Sequence, residues 1–308
     1  MNKKIAVITS PRAPYSNYLN NKIKSLGYDC FYSLKGNYYN VFARFIRKIF
    51  FFKNLKHKTI FFDKWKRHLN EFDVFVVIRD RYGEYIAQYI NKHSNAKVVL
   101  YFMDPYSKSV FLLNNYSHPN CIVSSFEKNL CIERGFLYNP LFCFKERISN
   151  ENIKFDVFFV GTDKGRLGTL LLLEEKFKSL GISFYFHVVK SSGDSYKKTD
   201  DRNYRYKKKI PYYKILKYES ISKCILDILP DGQRESTLRS VEAYFFKKKL
   251  ITNNVNIINE SFYNKQNVFV LGIDDEKLLI DFLNSTYIDK IDDEMEKCEF
   301  SKWINAYL

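Results

Sequence analysis

From Asp227 to Glu242 the chain reads Asp-Ile-Leu-Pro-Asp-Gly-Gln-Arg-Glu-Ser-Thr-Leu-Arg-Ser-Val-Glu, a dense run of groups able to hold a phosphorylated ligand. The apolar run Cys224–Leu229 before it reads as a buried strand. A turn containing Gly232, Gln233 and Ser236 follows, and a helix opens near Ser236 or Thr237. The unbonded amides of a helix N-terminus suit a diphosphate. Arg234 and Arg239 add charge-assisted donors, and Glu242, one or two turns in, offers a carboxylate to both hydroxyls of a ribose. An ordinary polar loop with a capped helix and a surface Glu242 satisfies the same residue types, so both descriptions stand at this point.

A second cluster is the turn Gly161-Thr-Asp-Lys-Gly-Arg166, which follows the apolar run Phe155–Val160. Gly161 and Gly165 permit close backbone approach, while Lys164 and Arg166 bring positive charge toward phosphate; a plain turn fits as well. In the first half, Ser10-Pro-Arg12, Arg79-Asp80-Arg81 and Asp104-Pro105-Tyr106 lie just past apolar runs. Asp80 and Asp104 are the candidate catalytic bases, each placed to take a proton from an acceptor hydroxyl; capping or ion-pairing is the more ordinary role for either, and His118 is a further possibility. Finally, Val41–Phe52 places Phe42, Phe45, Ile46, Ile49 and Phe52 on one helical side, with Arg44, Arg47, Lys48, Lys53, Lys56 and Lys58 alongside. That is the pattern of a basic interfacial helix, with Phe45, Arg47, Lys48, Ile49 and Phe52 expected to face a membrane. A core helix on a sheet is the competing description.

The elements that must position these groups show as short apolar runs ending in turn residues, the mark of buried parallel strands. Ile5–Ile8, Asp29–Tyr32, Val74–Ile78, Val98–Phe102 and Cys121–Ser124 form one series. Phe155–Val160, Phe184–Val189, Cys224–Leu229, Lys249–Ile251 and Val268–Leu271 form another. Helical spacing lies between them, as in Tyr18–Leu26, Leu167–Leu180 and Thr237–Phe246. Alternation of this kind predicts two doubly wound α/β sheets, which puts ligands beyond the carboxyl ends of the strands. The expected domains are residues 1–145, 146–285 and a helical C-terminal segment 286–308 that packs back on the first; Ser191–Lys209, polar and Lys-rich, reads as a mobile loop.

The 308 residues carry 50 Lys and Arg against 34 Asp and Glu, a net +16 that attracts anionic partners without choosing among them. Six scattered cysteines, with no CxxC and no zinc spacing, suggest free thiols in a reducing cytosol. The apolar run at the N-terminus is too short for a secretion signal, and none approaches the roughly 20 residues of a membrane span.

SxxxLDIxxxGQxxxTLRxxEAxxxxKKLITxN, with its continuation SFYNKQNVFVL, resembles the donor-binding segment of bacterial GT-B glycosyltransferases. These include the CgeB-like enzymes and transferases for lipopolysaccharide core, O-antigen and capsule. FDVFFVGTDKGRLGTLLLL and VSSFEKNLCIERGFLYNPLF are similar to the flanking parts of that group. The resemblance covers about the latter two-thirds of the chain. It departs at Glu235-Ser236, where many members have Gly-Leu. What it implies is an α/β GT-B fold with two Rossmann-like domains facing each other across a cleft. Its implied donor site comprises Gly161, Lys164, Arg166, Tyr213, Gln233, Ser236, Thr237, Arg239 and Glu242, with Tyr212 or Tyr213 near the base. The implied activity is sugar transfer from a nucleotide-sugar donor to a glycan or lipid-linked glycan acceptor at the cytoplasmic face of an anionic inner membrane. No Asp-x-Asp pair stands beside a donor strand, so no cofactor or obligatory metal is expected and no nucleic acid is the expected partner. A nucleic-acid-binding protein or a GT-B-shaped binding subunit without turnover are the alternatives.

Overall fold

Apolar runs of five or six residues bury both faces of a strand only when helices cover both sides of the sheet, and the chain does this twice. The structure, a computed structural model, describes residues 3–11, 14–35, 41–53, 55–78, 80–104, 117–146, 152–191 and 204–308. Arg12, Arg79, Pro105, Tyr106 and most of the expected 191–209 loop lie outside the described residues.

The first sheet runs β1 (Ile5–Thr9), α1 (Pro14–Ser25), β2 (Asp29–Tyr32), α2 (Val41–Phe52), β3 (Val74–Ile78), α3 (Gly83–His93), β4 (Lys97–Phe102), β5 (Cys121–Ser125), α4 (Lys128–Arg134), β6 (Leu137–Tyr138). Its strand order is β2-β1-β3-β4-β5-β6, with every pairing parallel. All residues of β1 and β3 are buried. On one face Ala6, Ile8, Phe75, Val77 and Leu100 meet Ile86 and Ile90 of α3. Both residues of β6 are exposed, so no apolar run marked it in the sequence.

The second sheet runs β7 (Phe155–Thr162), α5 (Leu167–Ser179), β8 (Phe184–Val189), α6 (Tyr212–Ser220), β9 (Ser222–Asp227), α7 (Leu238–Phe245), β10 (Lys249–Thr252), β11 (Val268–Val270). Its order is β11-β10-β9-β7-β8, again all parallel. Phe159, Leu226 and Ile251 face Leu170 and Phe177 of α5 on one side, and Ile225 and Leu250 face Ala243 of α7 on the other. Two doubly wound parallel sheets in one chain make two Rossmann-like α/β domains, as expected.

The C-terminal region breaks into α8 (Leu279–Asn284), α9 (Asp293–Glu296) and α10 (Phe300–Asn305). Polar groups enforce the breaks. Lys249 Nζ bonds the Phe282 carbonyl and Ser285 Oγ at the end of α8, and the Asp292 side chain caps α9 by accepting from Met295 N at 2.9 Å. Two compact units result, one of residues 1–140 with 303–308 and one of 141–302. Trp303 ties the last residues into the first unit: its indole donates to the Pro140 carbonyl at 2.8 Å and its carbonyl accepts from Asn139 at 3.2 Å.

One expectation is corrected. Arg47 does not face outward but lies buried, donating to the Lys35 carbonyl at 3.2 Å. The neighbouring inward residue of α2 is Phe51, stacked on Tyr82 with ring centroids 4.1 Å apart. Lys48, Phe45 and Phe52 are exposed and Ile49 half-buried.

Candidate functional site at the carboxyl edge of the second sheet

In the second unit the chain leaves β7 toward β8 on one side and β9 on the other, so the strand order reverses at β7. Open α/β sheets bind ligands outside the carboxyl ends of the strands at such a reversal. Here the Gly161–Arg166 turn closes β7 and the Asp227–Thr237 loop leaves β9.

The turn has a demanding backbone. Lys164 and Gly165 take positive φ of 50° and 83° in succession, a step toward the left-handed region that glycine makes at little cost. Any side chain on Gly161 would meet Arg166 Nη2 at 2.6 Å. Asp163, buried, starts α5 by accepting from Leu167 N at 3.0 Å and takes a second bond from the Tyr206 hydroxyl at 2.7 Å. Lys164 N donates to Ser191 Oγ at 2.7 Å. The Arg166 guanidinium folds back over Phe159 and donates to the carbonyls of Thr162, Asp163 and Ile228. It therefore bridges the ends of β7 and β9 and plants a positive charge at the strand reversal, rather than reaching freely outward.

At the other lip, Thr237 caps α7: its Oγ1 accepts from Arg239 N at 3.0 Å, and the Ser240 side chain accepts from Thr237 N at 3.4 Å. Thr237 and Ser240 both donate to Asp227 Oδ2, at 2.8 and 3.1 Å. Burial raises the Asp227 carboxyl, and these hydroxyls with Arg166 pull it back. Ser236 Oγ is buried with no hydrogen-bond partner among the described residues. Gln233 is half-buried and its backbone N–H donates to the Pro230 carbonyl at 3.1 Å. Tyr213 stands 62 % exposed on α6.

Behind this lip is a closed charge cluster. Arg239 pairs with Glu219 of α6 and Glu242 of α7, and the Tyr212 hydroxyl donates to Glu242 Oε1. Both glutamates are completely buried. Burial pushes the Glu242 carboxyl well above the carboxylate range, with Arg239 opposing and Glu219 adding to the rise. Glu219 is raised by burial and pulled back by Arg239 and by a hydrogen bond from Glu242. Two buried carboxyls thus share one guanidinium, and burial favours the protonated form of both. In this arrangement Glu242 has no surface for a ligand, and a ribose would reach it only by displacing the Tyr212 hydroxyl.

In the first unit, Asp80 Oδ1 accepts from Tyr82 N at 2.7 Å, the bond of a turn leading into α3, and Asp104 is exposed just past β4. Sequence reading missed a neighbour of Asp80. Glu84, in the first turn of α3, is only 9 % exposed; Gln88 donates to its Oε1 at 3.3 Å, and its Oε2 has no partner among the described residues. Burial pushes its carboxyl up to about 7, the poise of a general base. No residue pattern announces this, because burial alone makes the shift. Between the ordinary glutamate value and 7 the native state holds a proton the unfolded chain has lost, so stability falls as pH rises. From pH 5 to 8, wild type should lose roughly 1–3 kcal/mol more than Glu84→Gln in urea unfolding; equal losses would return Glu84 to an ordinary carboxylate.

A hollow of about 320 Å³ opens elsewhere, ringed by Lys223, Lys247, Lys248 and Lys249. It is not a rival anion site: Lys223 and Lys247 pair with Asp156 and Asp289, while Lys248 and Lys249 bond carbonyls at the ends of α6 and α8. Among the described residues no three His, Cys, Asp or Glu side chains are grouped to hold a metal ion.

No protein-family model matches the sequence, and no curated protein matches it. Among solved structures the chain is similar to a glycosyltransferase from Rickettsia africae ESF-5, at 14% identity over 99% of this chain and 94% of that one, with a TM-score of 0.46. It is also similar to the glycosyltransferase SnogD from Streptomyces nogalater, at 11% identity over 100% and 99% of the two chains, with a TM-score of 0.48. A glycosylation-associate protein complex from Streptococcus agalactiae matches at 11% identity over 86% of this chain but 55% of that one, with a TM-score of 0.42. With every score below one half, none of these likenesses bears on what the chain does.

Proposed function

We propose that the protein is a glycosyltransferase that moves a sugar from a nucleotide-sugar donor to a cell-surface glycan acceptor, of the lipopolysaccharide, O-antigen or capsule kind. The observation that carries this is the second sheet's carboxyl edge. There the Lys164–Arg166 turn and the capped start of α7 flank the strand reversal between β7 and β9. Such an edge suits a diphosphate, and fixed cations with helix amides stabilise a departing phosphate without reorganisation. Lys164, Arg166, Gln233, Ser236 and Thr237 are assigned to the donor phosphates and sugar, Tyr213 to the base. Glu242 receives the ribose after Tyr212 yields its place. Asp80, Asp104 or the newly found Glu84 takes the acceptor proton. The reaction needs no bound cofactor in this scheme. We place it at the cytoplasmic face of the inner membrane, where a lipid-linked acceptor would lie; no helix among the described residues is long and apolar enough to cross a membrane.

The decisive measurement is thermal unfolding with nucleoside diphosphates and CMP, followed by assay of nucleotide-sugar hydrolysis. A ligand at a hundred times its Kd stabilises by about 2.7 kcal/mol, so one base should raise Tm by several degrees and its sugar nucleotide should be hydrolysed. No shift with any nucleotide would sink the proposal, and a shift without turnover would reduce the protein to a binding subunit.

A further inference from the structure

Between Asp29 and Asp63 the sequence contains no acidic residue, yet it holds Lys35, Arg44, Arg47, Lys48, Lys53, Lys56 and Lys58. The 12-residue helix α2 sits in the middle of this stretch. A helix with this many phenylalanines would ordinarily turn them toward the sheet. Here the structure does the opposite with most of them. Phe51 and Arg47 point inward, 1% and 2% exposed, and the Phe51 carbonyl is held by the Tyr85 hydroxyl at 2.7 Å. Phe42, Phe45 and Phe52 point outward at 71%, 61% and 82% exposure. Positions 42, 45, 49 and 52 are three, seven and ten residues apart, so these rings and half-buried Ile49 form one continuous stripe along the helix. Arg44, Lys48 and Lys53 are exposed beside it, and exposed Leu55, Lys56 and Ile60 extend it into the next turn.

We propose that this face of α2 docks on the surface of an anionic lipid bilayer, the helix lying in the interfacial plane with the phenylalanine stripe entering the acyl boundary and Arg44, Lys48, Lys53 and Lys56 on the headgroups. Twelve residues are too few to span the hydrocarbon, but an apolar stripe flanked by cations is the composition that binds in the interface. Charge selects this occupant over the others. A second copy of the chain would bring the same cations against one another. A nucleic acid would satisfy the cations but leave the stripe in water. An anionic bilayer satisfies both at once. The buried Arg47 also gains a reason: it anchors the inner side of the helix through the Lys35 carbonyl while the apolar side stays out. This surface does not depend on the chemistry proposed for the second unit.

The test is sedimentation of the full chain with phosphatidylglycerol vesicles and with phosphatidylcholine vesicles, over a salt series. The protein should pellet with the first, release as salt rises because exposed charges are screened, and stay in solution with the second. Phe45→Ser/Phe52→Ser should weaken phosphatidylglycerol binding about tenfold or more while unfolding at the wild-type temperature, since both rings are outside the core. Lys48→Glu/Lys53→Glu should weaken it at least as much. Wild-type binding by either variant would overturn the proposal, as would equal binding to both vesicle types. A lower melting temperature in the phenylalanine variant would show the stripe to be core and overturn it too. So would a dimer, or an RNA complex, that forms without lipid and is lost in the same phenylalanine variant.

Discussion

Arg239→Ala should cost about 3–5 kcal/mol of folding stability, the scale for removing one partner from a buried ion pair. Arg239 holds Glu219 and Glu242, two carboxyls with no exposed surface, and lies over the Tyr212 ring. Without the guanidinium, Glu219 stays fully buried and loses its ion-pair partner, leaving only the weaker influence of Lys248. The variant relieves the loss by protonating the two carboxyls. The sign follows: native carboxyls that bind protons the unfolded chain has released make stability fall as pH rises. Both glutamates are already raised in wild type, so the variant should be least defective near pH 4.5 and most defective near neutrality. Adding Glu219→Gln should restore much of the loss, because the uncompensated charge is then gone. Urea unfolding of the three proteins at several pH values checks this. A loss below 1 kcal/mol that ignores pH would mean the cluster is open to water.

Nucleoside diphosphate affinity should fall by roughly 1.5–3 kcal/mol in Lys164→Ala, the value of a hydrogen bond to a charged group, and further in Lys164→Ala/Arg166→Ala. The double variant also frees three carbonyls, of Thr162, Asp163 and Ile228, that Arg166 now satisfies. It should therefore melt lower than wild type. The two effects separate by ligand. Loss of the free nucleoside should be small in Lys164→Ala, and loss of the diphosphate large, if the turn faces phosphate. Calorimetric titration of both ligands decides it: equal losses would place the phosphates elsewhere on the sheet edge.

The two α/β units were legible in the chain because a strand buried on both faces is apolar along its length, and here such runs recur between turn residues with helical spacing separating them. Ile5–Thr9 and Val74–Ile78, buried throughout, announced themselves this way, as did the buried centre Val157–Phe159 of β7. The start of α7 was legible too, since Thr237 followed by Ser240 is cap chemistry confined to four residues. What remained hidden were properties made by distant parts of the chain. Glu242 and Arg239 are ordinary helix residues until α6 brings Glu219 and Tyr212 against them and excludes water. Glu84 looks like any first-turn acid, and only the packing around α3 raises its carboxyl. Arg166 reads as a free cation until the end of β9 offers it the Ile228 carbonyl. The phenylalanine helix shows the limit most plainly. Its sequence fixes which residues share a side, because that depends on 3.6-residue periodicity alone. Which side meets the core depends on the neighbours. Tyr82 and Tyr85 receive Phe51, and with it inward, Phe42, Phe45 and Phe52 stand outside.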